Sequence, residues 1–431
     1  MNIVILPSWY RSLENPESGV FIRQQAIALA RHFPQHRIFI SLPAPAQNPL
    51  QISLRNPQRW EIFRRHLSSL RDLYHSPKWF IWHFLRLLNG SEVFVYSTPE
   101  GYFEVMTPCV TWSERFLQGN ARGLLAAHRN NLNYIEAHFG PPDILHVHVT
   151  WPAGEIGCQL SLERNIPLLI TEHMGPFPFQ TRDFLTVSGT LTPLLKRPLE
   201  QADAVIAVSA SLARRMRELG VKRVDVIPNC VDELLFTPTR QEPSQEFLFV
   251  CVGHLCQDKG IDDLLAAFAL IVSQLPEGAR LQIIGDGDVN YYKQQVFSLG
   301  IEKQVDIIGA LPHRALPAYL QKAHVFVLPS YHESFGVSYI EALACGKPVI
   351  ATRCGGPEDF VSEVNGCLIP FGDRHILAST MKHMMQTVDK YDPMKIRQDC
   401  LARFSSGSVA QQLMQKYVAL LRARKGKQSQ P

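Results

Sequence analysis

The chain has 431 residues, 46% hydrophobic and 19% charged, with nine cysteines and a formal net charge of +4. That length holds two or three domains with a sizeable core, and the composition excludes a disordered or fibrous chain. The small charge excess argues against a surface built to grip nucleic acid. No two cysteines stand in a Cys-x-x-Cys pair, so they read as reduced thiols rather than a disulfide framework or zinc site. Met1 to Pro7 lacks the basic flank and long apolar core of a secretory signal, and no run reaches the ~18 apolar residues of a spanning helix.

Asn2 to Leu6 is a predicted strand, Pro7 to Gly19 a loop rich in turn residues, and Val20 to His32 a helix. A strand, a glycine-containing loop and a helix in that order bring backbone N–H groups toward a phosphate, although the G-x-G-x-x-G fingerprint is absent. Gly19 reads either as the point where this loop approaches a ligand or as a plain turn residue. Arg37 to Leu42 is a second strand. Residues 47–90 differ in kind: Arg55, Arg59, Arg64, Arg65, Arg71, Lys78 and Arg86 face only Glu61 and Asp72, with Trp60, Phe63, Tyr74, Trp79, Phe80, Trp82 and Phe84 interleaved. Basic and aromatic residues at helical spacing fit a segment lying on an anionic membrane. They equally fit an inserted helical pair with its aromatics inward and its arginines in water.

Further strands are expected at Glu92 to Tyr96, Asp143 to His148 and Pro167 to Thr171, with helices at Arg122 to His138 and from Gly154 to Arg164. The strand at Pro167 delivers Glu172, His173, Met174 and Gly175 to its carboxyl end, where loops carry function. An imidazole there donates, accepts or carries a proton near neutral pH, which makes His173 a candidate. His148 divides between a structural histidine and a functional one, and His146 is set aside. Leu191 to Gln201 is a helix, Ala204 to Val208 a strand, and Ser209 to Leu219 a helix capped by Ser209 or Ser211. The polar, proline-containing stretch Thr237 to Glu246 reads as a linker.

The second half repeats a strand–helix rhythm, which predicts a parallel sheet covered on both faces. Phe247 to Val252 is a strand, Gly253 to Gly260 a loop carrying His254 and Lys259, and Ile261 to Leu270 a helix. Leu281 to Gly287 is a strand ending in a turn at Gly285, and Val305 to Pro312 another, with Leu311 at its exit. His324 to Pro329 reads as a buried strand. Glu333 stands in the loop that follows, and Glu341, eight residues on, lies about one and a half turns into a helix from Gly336 to Gly346. The carboxyl edge of such a sheet is where ligands bind, and carboxylates there accept hydrogen bonds from the hydroxyls of a sugar ring or a ribose. The alternative is two unrelated acids, one on an exposed loop and one on a solvated helix face. Gly355-Gly356-Pro357-Glu358 reads as a helix start able to meet phosphate, with Glu358 opposing an anion if it points inward. Gly366 to Pro370 is the last strand, and Arg374 to Val388 and Ser408 to Arg424 are the last helices.

The run His332 to Ile350, with its two glutamates, its Phe-Gly and its Gly-Lys-Pro-Val-Ile exit, resembles the retaining glycosyltransferases of family 4. Ile170-Thr171-Glu172-His173, His146-x-His148 and Trp151-Pro152-Ala153-Gly154 resemble the amino-terminal half of their bacterial polysaccharide and lipopolysaccharide members. The resemblance implies the GT-B fold: α/β, two Rossmann-like β/α/β domains facing a cleft. Residues 1–238 would be the acceptor domain, with the insertion at 47–90 and a carboxyl-terminal helix at 405–424 packing back. Residues 239–404 would be the nucleotide-sugar domain.

By the same resemblance, Glu333 contacts the donor sugar's hydroxyls, Glu341 holds the nucleotide ribose, Lys259 clamps the diphosphate and His173 lies close to donor sugar and acceptor. His173, Glu333 and Lys259 are the catalytic candidates; Gly19, Gly253, His254, Gly285, Leu311, Phe335 and Gly336 complete the donor-binding set. Two residues depart from the pattern: His254 replaces an arginine and Cys230 a glycine. The resemblance implies a UDP-linked donor with no metal or other cofactor, a glycan or lipid-linked acceptor, no nucleic-acid partner and a part in cell-surface polysaccharide assembly. The expected place is cytoplasmic, peripheral at the inner membrane face, with residues 55–86 meeting an anionic surface. The competing readings are a UDP-sugar epimerase or phosphorylase on the same fold, and a weakly active or non-catalytic scaffold, which His254 makes conceivable.

Overall fold

Two sheets organise the chain. The structure is a computed structural model that describes residues 1–11, 17–43, 93–107, 109, 121–179, 181, 183–239, 246–275 and 278–428. By their internal contacts the residues divide into two compact units. One comprises Met1–Thr171, Leu194–Ala204 and Tyr417–Pro431; the other comprises Glu172–Pro193 and Val205–Lys416.

The first sheet has eight strands: β1 (Asn2–Pro7), β2 (Arg37–Pro43), β3 (Phe94–Ser97), β4 (Phe103–Thr107), β5 (Ile144–His148), β6 (Leu168–Glu172), β7 (Ala204–Ala207) and β8 (Val224–Val226). Their order is β3-β4-β2-β1-β5-β6-β7-β8. β1 pairs in parallel with β2 and β5, and β3 pairs antiparallel with β4 at one edge. β1 and β5 are buried along their whole length, as an interior parallel strand requires. Helices α1 (Val20–His32), α2 (Ala121–Phe139), α3 (Ala153–Arg164), α4 (Pro193–Gln201) and α5 (Ala210–Glu218) connect the strands. The Ser209 side chain accepts from the Leu212 N–H and so caps α5, one of the two caps expected.

The second sheet has six strands: β9 (Phe247–Val252), β10 (Ala279–Ile284), β11 (Val305–Gly309), β12 (Val325–Leu328), β13 (Val349–Thr352) and β14 (Gly366–Ile369). Their order is β11-β10-β9-β12-β13-β14 and all the pairs are parallel. The strand order reverses beside β9, so the loops leaving β9 and β12 part at one edge and leave a crevice there. Between and after the strands run α6 (Ile261–Ile271), α7 (Val289–Ser298), α8 (Leu316–Lys322), α9 (Val337–Ala344), α10 (Arg374–Thr387), α11 (Pro393–Phe404) and α12 (Ser406–Gln428). Helix α12 starts in the second unit, and its residues from Tyr417 on belong to the first.

Three expectations need revision. β4 is absent from the sequence reading because Glu104 interrupts its apolar run. The carboxylate is nonetheless buried, accepting from Tyr10 Oη (2.9 Å) and Arg11 Nη2 (2.7 Å). Helix α11 is likewise missing from that reading. The glycine pair before Pro357 opens only a four-residue 3-10 turn, Gly356–Asp359, and Glu358 Oε1 turns back to accept the Gly355 N–H at 3.1 Å. The basic and aromatic stretch 47–90, with the proposed membrane-facing residues 55–86, lies outside the described residues. Among those described, no helix is long and apolar enough to cross a membrane.

Candidate active site

In a parallel sheet every strand delivers its carboxyl end to the same edge, so the loops after β9, β10, β12 and β13 gather there. Two close backbone approaches set their paths. A Cβ on Gly285 would lie 1.7 Å from the Gly253 carbonyl oxygen, and one on Gly260 would lie 2.1 Å from that of Pro329. Gly260 also takes the left-handed conformation (φ +66°) that lets the chain turn from Lys259 straight into α6. Substituting a side chain at either position would drive these loops apart.

Lys259 and Glu333 meet at this edge. Lys259 Nζ donates to Glu333 Oε1 at 2.6 Å, and Ser330 Oγ donates to the same oxygen at 2.9 Å. The two side chains are 25% and 10% exposed, so the pair is shielded from bulk screening yet open on one side. Burial works against the Lys259 charge, but the Glu333 carboxylate outweighs it, and the lysine's pKa stands above its ordinary value. The Glu333 loop is fixed through its backbone: its N–H donates to Cys354 O (3.1 Å) and its carbonyl accepts from Gly356 N (2.8 Å). Burial pushes the nearby Cys251 and Cys354 thiols up to about 12, so both stay neutral.

Glu341 sits on α9 and is almost fully buried, at 3% exposure. A carboxylate in that setting needs a partner, and His313 supplies one, with Nε2 at 2.6 Å from Glu341 Oε1. His313 stands in the turn after β11, two residues beyond Leu311, which is half-buried there. Phe335 points its ring into the core against Phe360 and Phe404, each at 5.5 Å, so only its backbone faces the edge. Gly336 forms the left-handed start of α9. His254 follows Gly253 and is half exposed, with Nδ1 at 2.9 Å from Asp286 Oδ1. Asp286-Gly287-Asp288 has an Asp-x-Asp spacing that the sequence reading did not pick out. Asp288 caps α7, accepting from Tyr291 N, while Asp286 faces His254. Among the described residues no group of three His, Cys, Asp or Glu side chains could hold a metal ion.

His173 is in the same unit. Glu172 is fully buried, and its Oε1 accepts the N–H groups of His173 (2.8 Å) and Met174 (2.7 Å), which folds the loop end tightly. Ser334 Oγ, one residue after Glu333, donates to the His173 carbonyl at 2.8 Å. The absence of a side chain at Gly175 admits Ser334, whose backbone N would lie 3.0 Å from a Cβ there. The loops bearing His173 and Glu333 are thus joined. Gly19 lies in the first unit, at the left-handed start of α1 beside Trp9 and Tyr10. His148 is buried in β5, and desolvation pulls its pKa down to about 3, so it stays neutral. His146 lies tilted against it, the ring centroids 4.2 Å apart, and bridges Tyr417 Oη and Thr171 Oγ1, both at 2.7 Å, a structural role. Sequence reasoning missed Ser330, His313, Asp286 and Ser334. Ser330 was the most accessible of these, since it directly follows the strand exit at Pro329.

The two largely parallel sheets with their covering helices define the GT-B fold. The fold matches sucrose-phosphate synthase from Thermosynechococcus elongatus (TM-score 0.70, 22% identity, 98% of this chain and 100% of that one). It also matches HepE of Anabaena, solved in complex with UDP (TM-score 0.65, 18% identity, 97% of this chain and 100% of that one). Residues 236–397 match the glycosyl transferases group 1 family, and residues 87–233 match glycosyltransferase family 4. N-acetyl-alpha-D-glucosaminyl L-malate synthase of Bacillus anthracis is 30% identical over 300 residues, 65% of this chain and 75% of that protein. The chain belongs to the group 1, family 4 glycosyltransferases, a retaining family, and transfers a sugar from a nucleotide-sugar donor.

Proposed function

We propose that the donor is a UDP-sugar and that the acceptor is a glycan or a lipid-linked saccharide of cell-surface polysaccharide assembly. In this reading residues 239–404 bind the donor and residues 1–238 the acceptor. Lys259 meets the departing diphosphate, where a fixed positive charge stabilises the developing negative charge. Glu333 orients the sugar hydroxyls, Glu341 accepts from the ribose, and His173 stands beside the reacting carbon. Gly253 and Gly285 let the backbone approach the nucleotide, with His254, Leu311, Phe335 and Gly336 around it, and Gly19 is the donor-binding candidate of the first β–α loop. The basic, aromatic residues 55–86 suit an anionic membrane surface, which would place the enzyme at the inner membrane face beside a lipid-linked acceptor.

The observation that carries the donor half is the Lys259–Glu333 pair: a shielded cation and a sugar-orienting carboxylate 2.6 Å apart at the ligand edge of the sheet. UDP in the HepE complex supports the choice of nucleotide. The test is a panel of nucleotide sugars read by thermal shift on the wild type and on Lys259→Met and Glu341→Ala. One UDP-sugar should raise the wild-type melting temperature, by about 2.7 kcal/mol of added stability at 100 times its dissociation constant, and should leave both variants unmoved. A panel in which no UDP-sugar moves the wild type, or in which both variants respond as the wild type does, sinks this assignment.

A further inference from the structure

We infer that His313 is the positioning residue for ribose recognition: its imidazole holds one oxygen of Glu341 so that the other is presented to the ribose hydroxyls of the nucleotide. This rests on the reading of Glu341 given above and adds the group that makes it selective. A carboxylate oxygen accepts, so the ring nitrogen facing it carries the proton, and Nε2–H of His313 donates to Oε1 at 2.6 Å. The side chains are 13% and 4% exposed, so little water competes for this bond. Oε2 accepts no hydrogen bond among the described residues. The terminal torsion of a glutamate is broad and weakly preferred, so without a fixed partner that oxygen would sweep an arc.

The histidine is itself held. Phe236, fully buried, packs edge-on against the imidazole at 5.2 Å and 62°. The Phe236 carbonyl accepts from Arg397 Nη1 (2.6 Å), and Arg397 Nη2 donates to Glu233 O (2.8 Å). Arg397 Nη1 also donates to the carbonyl of Ala344, the last residue of the helix that carries Glu341. The contacts close a ring, from Glu341 to His313, Phe236, Arg397, Ala344 and back along one turn of α9. A carboxylate locked by such a ring can tell a nucleotide with both ribose hydroxyls from one that lacks one. A site built to hydrogen-bond a hydroxyl rejects the analogue without it far more strongly than an apolar pocket rejects a small change of shape.

The experiment is calorimetric titration of UDP and of 2′-deoxy-UDP into the full chain, comparing wild type, His313→Leu, His313→Gln and Glu341→Ala. The leucine removes the donor and keeps the bulk; the glutamine keeps an N–H donor near the Nε2 position. Wild type should prefer UDP by about tenfold or more, as expected of a paired, buried hydroxyl. His313→Leu should bring that preference close to one, as Glu341→Ala does, and His313→Gln should restore most of it. If His313→Leu weakens both nucleotides equally and keeps the preference, the histidine is merely structural and the inference fails while the reading of Glu341 stands. If Glu341→Ala also keeps the preference, or the wild type shows none, the reading of Glu341 fails and takes this inference with it.

Discussion

Lys259 and Lys347 lie in the same unit, and burial loosens the proton on each, yet they end on opposite sides of the ordinary lysine value. Lys259 has Glu333 at 2.6 Å and is raised. Lys347, 6% exposed and without an ion pair among the described residues, is drawn down by burial to about 8. What separates them is one carboxylate. At the sheet edge the carboxylate keeps the lysine charged and in place, and on the proposed reading an incoming diphosphate would compete with Glu333 for it. Behind α9 a lysine is tolerated at a cost to stability.

The comparison can be broken from either side. Lys259→Met removes the maintained charge, and transfer, followed as release of nucleoside diphosphate from the donor that the panel identifies, should fall by roughly 100-fold or more. A loss below threefold would remove Lys259 from the chemistry. Glu333→Gln should turn Lys259 into a second Lys347. With burial unopposed its proton loosens, and the alkaline limb of the kcat/KM profile should move to lower pH. An unmoved limb would mean that something other than Glu333 holds the charge.

Lys347→Met tests the other side. The folded pKa of Lys347 is lowered, so between about 8 and the ordinary lysine value of 10.5 the unfolded chain binds more protons, and wild-type stability rises with pH across that window. Below pH 8 the full penalty is present, and Lys347→Met should be more stable at pH 7 by on the order of 1–3 kcal/mol. Urea unfolding at pH 7 and pH 10 checks it: the gap between the two proteins should shrink at the higher pH. Ser330→Ala, which removes a neutral donor from Glu333 and a hydrogen-bond partner of Tyr339, should have the smallest effect, about 1 kcal/mol in stability. A larger loss would show that the serine, rather than the lysine, orders this carboxylate.

Much of this was legible in the chain itself. The strands β9, β12 and β13, and with them the placing of Glu333 and Glu341 at one edge, follow from apolar runs punctuated by Pro329, Gly336 and Gly346. The partners of these carboxylates were not legible. His313 is 28 residues from Glu341 and Lys259 is 74 from Glu333, and no local period brings such residues together. Glu104 concealed β4 for the related reason that a single buried acid, satisfied by Tyr10 and Arg11 from a distant loop, looks like a break in the strand. Pro357 promised a helix, but Glu358 satisfied the leading N–H within one turn and nothing behind it sustained the coil.

The two glycine contacts at the sheet edge bear on how this enzyme can change. Because Gly285 and Gly260 pack backbone against backbone, part of each loop's path is set by the main chain and not by the side chains that the loop displays. A position such as 254 can therefore be exchanged, arginine for histidine or the reverse, without rerouting the chain. On the proposed reading of the donor site, libraries that seek a new donor preference should randomise His254 and Leu311 and leave Gly260 and Gly285 untouched.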